Sequence, residues 1–212
     1  MGNFFTKIKK TLFTRTMMGR IFILFLGWAL VAFGISLMLE INFGVAPYDV
    51  LATAVAGLIN TSPGVAMWVV GGLALIGGWL AGERPGIGTF AGAFFIGLFV
   101  DVYMRVIPND IPLVGRLFIL IPTFVSLYIG VCLIITSKLG AGPSEIVMLA
   151  ICKKGVSIRT SRWIVEAGTL LIGYLLGGEA GVLSLVVVLI AGPMISLFLP
   201  RIQRILPLTT KN

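Results

Sequence analysis

Two short phrases hold most of the chemistry this sequence offers. Residues 43–49 read FGVAPYD and residues 139–145 read LGAGPSE: a glycine, a proline three residues on, and an acid two after that. Asp49 and Glu145 are carboxylates in otherwise apolar surroundings. An ionisable side chain costs a few kcal/mol there and marks substrate, ion or proton paths. In the first turn of a helix, each would sit beside free backbone N–H groups and the positive end of the helix dipole, which keep it ionised. Two such acids in one cavity would attract a cation or a polar zwitterion, with the proton as the simplest coupling ion. The same residues also fit a plainer role as helix caps near the interface, worth about 0.5–1 kcal/mol each.

Other residue types narrow the chemistry. There is no histidine, which excludes Ser-His catalysis and histidine-ligated metals. Cys132 and Cys152 form no C-x-x-C pair and read as packing residues. Ser144 follows Gly-Pro rather than lying in a G-x-S-x-G elbow, and no base accompanies it, so no enzyme is expected. The segment GIGTFAG (86–92) has a G-x-G but no preceding strand, so it is not a dinucleotide fingerprint, and no cofactor or metal is expected. Gly88 and Gly92 instead form a small-residue face for close helix packing, and the glycines at 71, 72, 77, 78 and 97 read likewise. Asp101 and Arg105, and Arg162 and Glu166, have the i,i+4 spacing of helical ion pairs. Asp101 and Glu166 are further proton or cation candidates. Glu83 and Glu179 fall in tight G-E turns and read as loop residues.

The elements that must position these groups are membrane helices. The chain has 212 residues, 58% hydrophobic and 11% charged, with a mean hydropathy of +1.08. A soluble domain carries roughly 25% charged residues. Residues 21–39, 50–82, 117–137 and 180–200 contain no Asp, Glu, Lys or Arg, and about 20 such residues cross a hydrocarbon layer. An all-α, polytopic integral membrane protein follows, with the lipid bilayer as its first partner. The net charge of +8 does not point to nucleic acid, because the basic residues cluster where spans end: residues 7–20, 153–162 and 201–211. By the positive-inside distribution, both termini are cytoplasmic. Residues 1–18 form a basic amphipathic segment with a short interfacial helix expected over 4–13. The opening MGNFFT also fits the loose myristoylation pattern. The first apolar run is too long for a signal peptide and reads as an uncleaved span.

Shifted by 96 residues (19 onto 115), the sequence matches itself. Gly19, Arg20, Phe22, Ile23, Leu24, Gly34, Leu37, Gly44 and Pro47 recur as the same residue, and IGGWLAGE (76–83) overlies IGYLLGGE (172–179). The reading is an internal duplication within one membrane domain: repeat 1 over 19–108, repeat 2 over 115–202, and a cytoplasmic tail over 203–212. Each repeat holds three long spans and one short helix opened by the repeated phrase. If the short helices are re-entrant, there are six spans and the repeats are inverted. If they cross, there are eight and the repeats are parallel. Basic-residue placement fits both layouts. Arg20 and Arg116, at matching positions, favour the parallel one, while the short apolar run 146–152 favours the re-entrant one, which is preferred by a small margin.

Within the phrase, Gly44 and Gly140 are expected to end the preceding helix in left-handed backbone. Pro47 and Pro143 suit the first turn of a new helix. Broken backbone at membrane depth is tolerated only where protein or a watery cavity surrounds it, and paired broken helices line the substrate sites of many transporters. Gly44, Pro47, Asp49, Gly140, Gly142, Pro143 and Glu145 are therefore the candidate substrate-binding residues.

FGVAPYDVL (43–51), its echo LGAGPSEIV (139–147) and Asp101 at the close of the fourth segment are the features by which the chain resembles the YczE family, in the wider YczE/YyaS/YitT group. The resemblance implies a bacterial inner-membrane protein of largely unassigned activity. Many YitT-type relatives add a soluble C-terminal domain that has no counterpart before Asn212, so ligand sensing of that kind is not carried over. The leading functional expectation is a small transporter or permease component for a small polar or cationic substrate. The alternative is a non-transporting accessory or regulatory protein. It would scaffold a membrane partner or a second copy of itself through the basic loop KKGVSIRTSR (153–162) and the glycine faces.

Overall fold

A computed structural model describes residues 15–108, 111–140 and 142–206. Among them are eight helices: α1 (Arg15–Ile41), α2 (Pro47–Ile59), α3 (Pro63–Leu80), α4 (Ile87–Met104), α5 (Leu113–Ser137), α6 (Pro143–Cys152), α7 (Ile158–Leu175) and α8 (Val182–Ile205). No strand occurs among the described residues. The interfacial helix expected over 4–13 and the end of the tail lie outside them. Four helices are long and apolar enough to cross a membrane: α1 over Met17–Ile41, α3, α5 and α8. The six long elements of the expected layout are all helical, but α4 and α7 fall short of this standard. The described apolar run of α4, Gly88–Met104, is shorter, and Arg162 and Glu166 interrupt α7. Large apolar side chains face outward, such as Phe22, Leu80, Phe118 and Leu189, which suits lipid and not water.

The repeated phrase folds much as its residue types require. α2 and α6 begin at Pro47 and Pro143, with Ala46 and Gly142 extended before them. A proline there sacrifices an N–H that has no helical acceptor. The helix exits differ from the expectation at Gly44 and Gly140. The left-handed residues that stop α1 and α5 come two positions earlier, at Asn42 (φ 54°) and Lys138 (φ 55°). Asn accepts this backbone readily. After Lys138, the Ser137 hydroxyl accepts from the Leu139 N–H at 3.3 Å and donates to Ile134 O at 2.7 Å, stabilising the turn. Gly44 also has positive φ, 103°, whereas Gly140 does not.

α1 and α5 pack more extensively than any other pair and cross at the centre of the molecule. A Cβ built on Gly27 would lie 2.9 Å from Gly130 O, and one on Gly34 would lie 3.1 Å from Thr123 O. Between them, Ser126 Oγ donates to Leu30 O at 2.7 Å. Rising numbers on α1 meet falling numbers on α5, so the two helices run antiparallel. α4 flanks α1, α8 flanks α5, α6 packs on α3, and α2 packs on α7. α6 runs alongside the C-terminal half of α3: Pro143 lies by Gly71 and Ile146 by Gly78, and the Lys153 ammonium donates to Gly82 O at 2.6 Å.

Each break docks on the start of a helix from the other half of the chain. Val45 N–H donates to Glu179 O at 3.2 Å and Leu183 N–H to Phe43 O at 3.0 Å, holding the first break against the start of α8. The second break rests on α4, where a Cβ on Gly140 would meet Thr89 N at 2.7 Å. Gly78, Gly88, Gly92 and Gly97 also lie at close contacts, as their spacing predicts, whereas a Cβ on Gly71 would make only ordinary contact, 3.4 Å from the Ala93 Cβ. Gly72 and Gly77 make no such contact, because their Cβ positions face open space.

Candidate functional site

Asp49 and Glu145 line one cavity of about 520 Å³ beside the α1–α5 crossing. The start of α2 delivers Tyr48 and Asp49, and the start of α6 delivers Pro143, Ser144 and Glu145. Trp28, Val31 and Ile35 of α1 and Leu127, Val131 and Ile134 of α5 form apolar walls. Gly88 and Gly92 let α4 approach: a Cβ on Gly92 would sit 2.9 Å from the Trp28 indole nitrogen. The Trp28 ring is fixed from behind by Phe95, stacked at 5.6 Å with 12° between planes.

The polar groups fall into two clusters. Asp49 is only 6% exposed, and among the described residues its carboxylate accepts no hydrogen bond. The adjoining Tyr48 hydroxyl is buried and also lacks a hydrogen-bond partner there. Buried polar groups are ordinarily satisfied, so this pair carries unmet hydrogen-bonding capacity at the edge of the cavity. In the second cluster, Glu145 accepts from its neighbour Ser144 Oγ at 3.1 Å, and its carboxylate folds back over Gly142, where a Cβ would overlap it. Arg162 lines the same cavity, with its Nε–H donated to Glu166 Oε1 at 2.9 Å. A crevice of about 30 Å³ lies among Glu145, Arg162 and Glu166. Neither Asp49 nor Glu145 accepts a backbone N–H among the described residues, so neither forms the hydrogen bond of an ordinary cap.

Five of the seven candidate residues, Asp49, Gly140, Gly142, Pro143 and Glu145, line the cavity; Gly44 and Pro47 do not. Gly44 packs against Gly181 instead, and Pro47 is buried at the start of α2. Of the further candidates, Glu166 lines the crevice and pairs with Arg162 as its spacing predicts. Asp101 does not pair with Arg105. It accepts from Ser62 Oγ at 2.6 Å and from the Gly64 N–H at 2.8 Å, capping α3 away from the cavity. Glu83, expected in a loop, is there and pairs with Lys153 at 2.9 Å. Sequence reasoning missed Tyr48, Trp28 and Arg162 as cavity residues. Tyr48 had a signal, lying between Pro47 and Asp49 in the phrase itself; Trp28 had none.

The chain is similar to an uncharacterized protein of Haemophilus influenzae, 26% identical over 184 residues, covering 86% of this chain and 84% of the relative. It is similar to the uncharacterized membrane protein YczE of Bacillus subtilis, 25% identical over 181 residues and 84% of each chain. It is also similar to the uncharacterized protein YyaS of the same organism, 26% identical over 186 residues, 84% of this chain and 92% of the relative. No solved structure matches. Residues 18–200 match a family described as of unknown function, DUF6198. A membrane protein with several apolar helices, this chain belongs to the DUF6198 family and is YczE-like, as its two phrases imply.

Proposed function

We propose that the protein is a small transporter or permease component of the bacterial cytoplasmic membrane, with its site between two inverted, broken-helix repeats. The observation that carries this reading is that Asp49 and Glu145, matching members of the two phrases, line one cavity. The 96-residue correspondence supports the repeats, because matching residues Leu30 and Ser126 share a hydrogen bond at the α1–α5 crossing. The exchanged packing of α2 on α7 and α6 on α3 has the same pairwise symmetry. Antiparallel α1 and α5 favour inverted over parallel repeats. Arg116, which argued for the parallel layout, has a structural use: its guanidinium donates to Ile111 O at 2.8 Å and to Ile41 O at the end of α1 at 3.3 Å. In this layout α2 and α6 are re-entrant, there are six crossings, and both termini are cytoplasmic.

The test is ligand-dependent thermal stabilisation of the purified protein across metabolite classes, followed by flux of any hit in proteoliposomes. The reading expects at least one class to stabilise the wild type and cross the membrane. Asp49→Asn and Glu145→Gln should fold normally and lose both effects. The second reading, an accessory or regulatory protein, draws on the basic turn after α6, where Lys154 is exposed. A hit that binds without flux, together with a partner whose capture requires Lys154, would favour it.

A further inference from the structure

We infer that the cavity takes an organic amine in its ammonium form, with an apolar body of about aromatic-ring size or larger. The inference rests on this cavity being the protein's binding site.

The charged and polar lining points to a cation. Asp49, Glu145 and the neighbouring Glu166 place three carboxylates around the cavity and its crevice, against the single guanidinium of Arg162. The two helix starts add roughly half a positive charge each. An ammonium set against Asp49 would supply the charge partner that this carboxyl group lacks among the described residues. Hydrogen-bonding capacity agrees with the charge. The Asp49 carboxylate and the Tyr48 hydroxyl, on consecutive residues at the start of α2, accept no hydrogen bond among the described residues and so leave acceptors for an ammonium N–H. Donors for an anion come chiefly from one group, the Arg162 guanidinium. Pro47 and Pro143 remove an N–H from each helix start, Ser144 Oγ donates to Glu145, and Arg162 Nε–H donates to Glu166. A ligand carboxylate would have to use the remaining guanidinium N–H groups of Arg162, whereas an ammonium has both Asp49 and Glu145 to approach.

The remaining lining excludes a bare inorganic cation as the fitting occupant. Such an ion takes roughly six or more oxygen ligands in a tight shell, whereas this space is about 520 Å³ and walled by Trp28, Val31, Ile35, Leu127 and Ile134. Pockets of about 300–1,000 Å³ with apolar walls and a few convergent polar groups hold organic ligands of drug size. Trp28 and Tyr48 add aromatic faces that attract a desolvated cation.

The probe is 2-phenylethylamine, titrated near neutral pH against the purified full-length protein in a non-ionic detergent, with affinity read by calorimetry. Saturable binding is expected, weakened at least about tenfold by Asp49→Asn and in the same direction by Glu145→Gln. Tyr48→Phe keeps the charge and ring, and should weaken the amine severalfold by removing one acceptor; it serves where an acid variant does not fold. 2-Phenylethanol and 3-phenylpropionate should bind at least about tenfold more weakly than the amine, and ammonium chloride should not compete. Phenylalanine or 3-phenylpropionate binding as tightly as the amine would overturn the assignment. So would no amine binding, or binding indifferent to both Asp49→Asn and Tyr48→Phe. Amine binding without flux in proteoliposomes would support the ligand class while overturning the transport reading.

Discussion

The backbones of Gly27 and Gly130 meet where α1 crosses α5. A Cβ on Gly27 would sit 2.9 Å from the Gly130 carbonyl oxygen, and one on Gly130 would sit 2.8 Å from the Gly27 oxygen. Neither obstacle is the flexible end of a side chain, so neither can step aside. Close approach of this kind is how helices associate in lipid, where no hydrophobic force separates protein from solvent. The cavity lies beside this crossing and takes its two long apolar walls from the same helices, so its width depends on how closely they pack.

Gly27→Val and Gly130→Val should therefore each destabilise the protein by about 1–3 kcal/mol, the usual range for overpacking. Gly72 supplies the control, since its Cβ position has nothing within 4 Å. Gly72→Ala should leave the thermal midpoint of the purified protein unchanged or slightly raised. Equal effects at all three sites would mean that the crossing is not tight.

The glycines of the two phrases should respond differently to alanine. At Gly44 the new Cβ meets both a φ of 103° and the Gly181 backbone nitrogen at 2.5 Å. At Gly140 it meets only the crowding, with Thr89 N at 2.7 Å. Left-handed backbone alone costs a non-glycine residue roughly 1–2 kcal/mol, so Gly44→Ala should be the less stable variant by about that margin. Thermal midpoints of the two variants, measured side by side, decide it.

Asp101 should prove structural. Asp101→Leu removes the acceptor of both the Ser62 hydroxyl and the Gly64 N–H. It should cost about 1–2 kcal/mol, as lost helix caps do. Asp101→Asn keeps a carbonyl acceptor and should recover much of that loss. Because the residue is outside the cavity, the asparagine variant should bind any cavity ligand as the wild type does. A loss of ligand affinity in a stable Asp101→Asn protein would restore the acid as a proton or cation candidate.

How much of this could be read from residues alone depended on the range of the interaction. Helix starts at Pro47 and Pro143 follow from a local rule, the absence of one N–H, and the structure agrees. The exits are equally local but have several solutions, and Asn42 and Lys138 take the left-handed turn before the glycines are reached. Asp101 was misread because its partners Ser62 and Gly64 lie 39 and 37 residues away in sequence. The ion pair it was expected to make was only the nearest visible alternative. The cavity was legible as two acids attached to helix breaks. Its apolar side was not, since Trp28 and Ile134 look like any span residues until α1 and α5 cross. Layout was undecided for a similar reason. A basic residue normally reports topology, but Arg116 is engaged with the carbonyl end of α1.

The directions of the short helices decide the layout, and they can be measured. Lys153, just after α6, donates to Gly82 O and pairs with Glu83 at the end of α3. The end of α6 therefore shares a membrane face with the end of α3. α2 ends at Asn60, immediately before α3 begins at Pro63, at the opposite end of that span. If α3 crosses the membrane once, residues after α2 and after α6 lie on opposite faces. In the parallel layout with eight crossings, both positions would be cytoplasmic. Single cysteines placed in a Cys132→Ala, Cys152→Ser background distinguish the two. Thr61→Cys is preferable to Asn60→Cys, because Asn60 has a φ of 50° that a cysteine would resist. Lys154→Cys avoids disturbing the Lys153–Glu83 pair. With an impermeant maleimide, Thr61→Cys should label from outside the cytoplasmic membrane. Lys154→Cys, in the basic turn, should label only after the membrane is opened. Labelling of both positions from the same side would overturn the inverted, re-entrant arrangement.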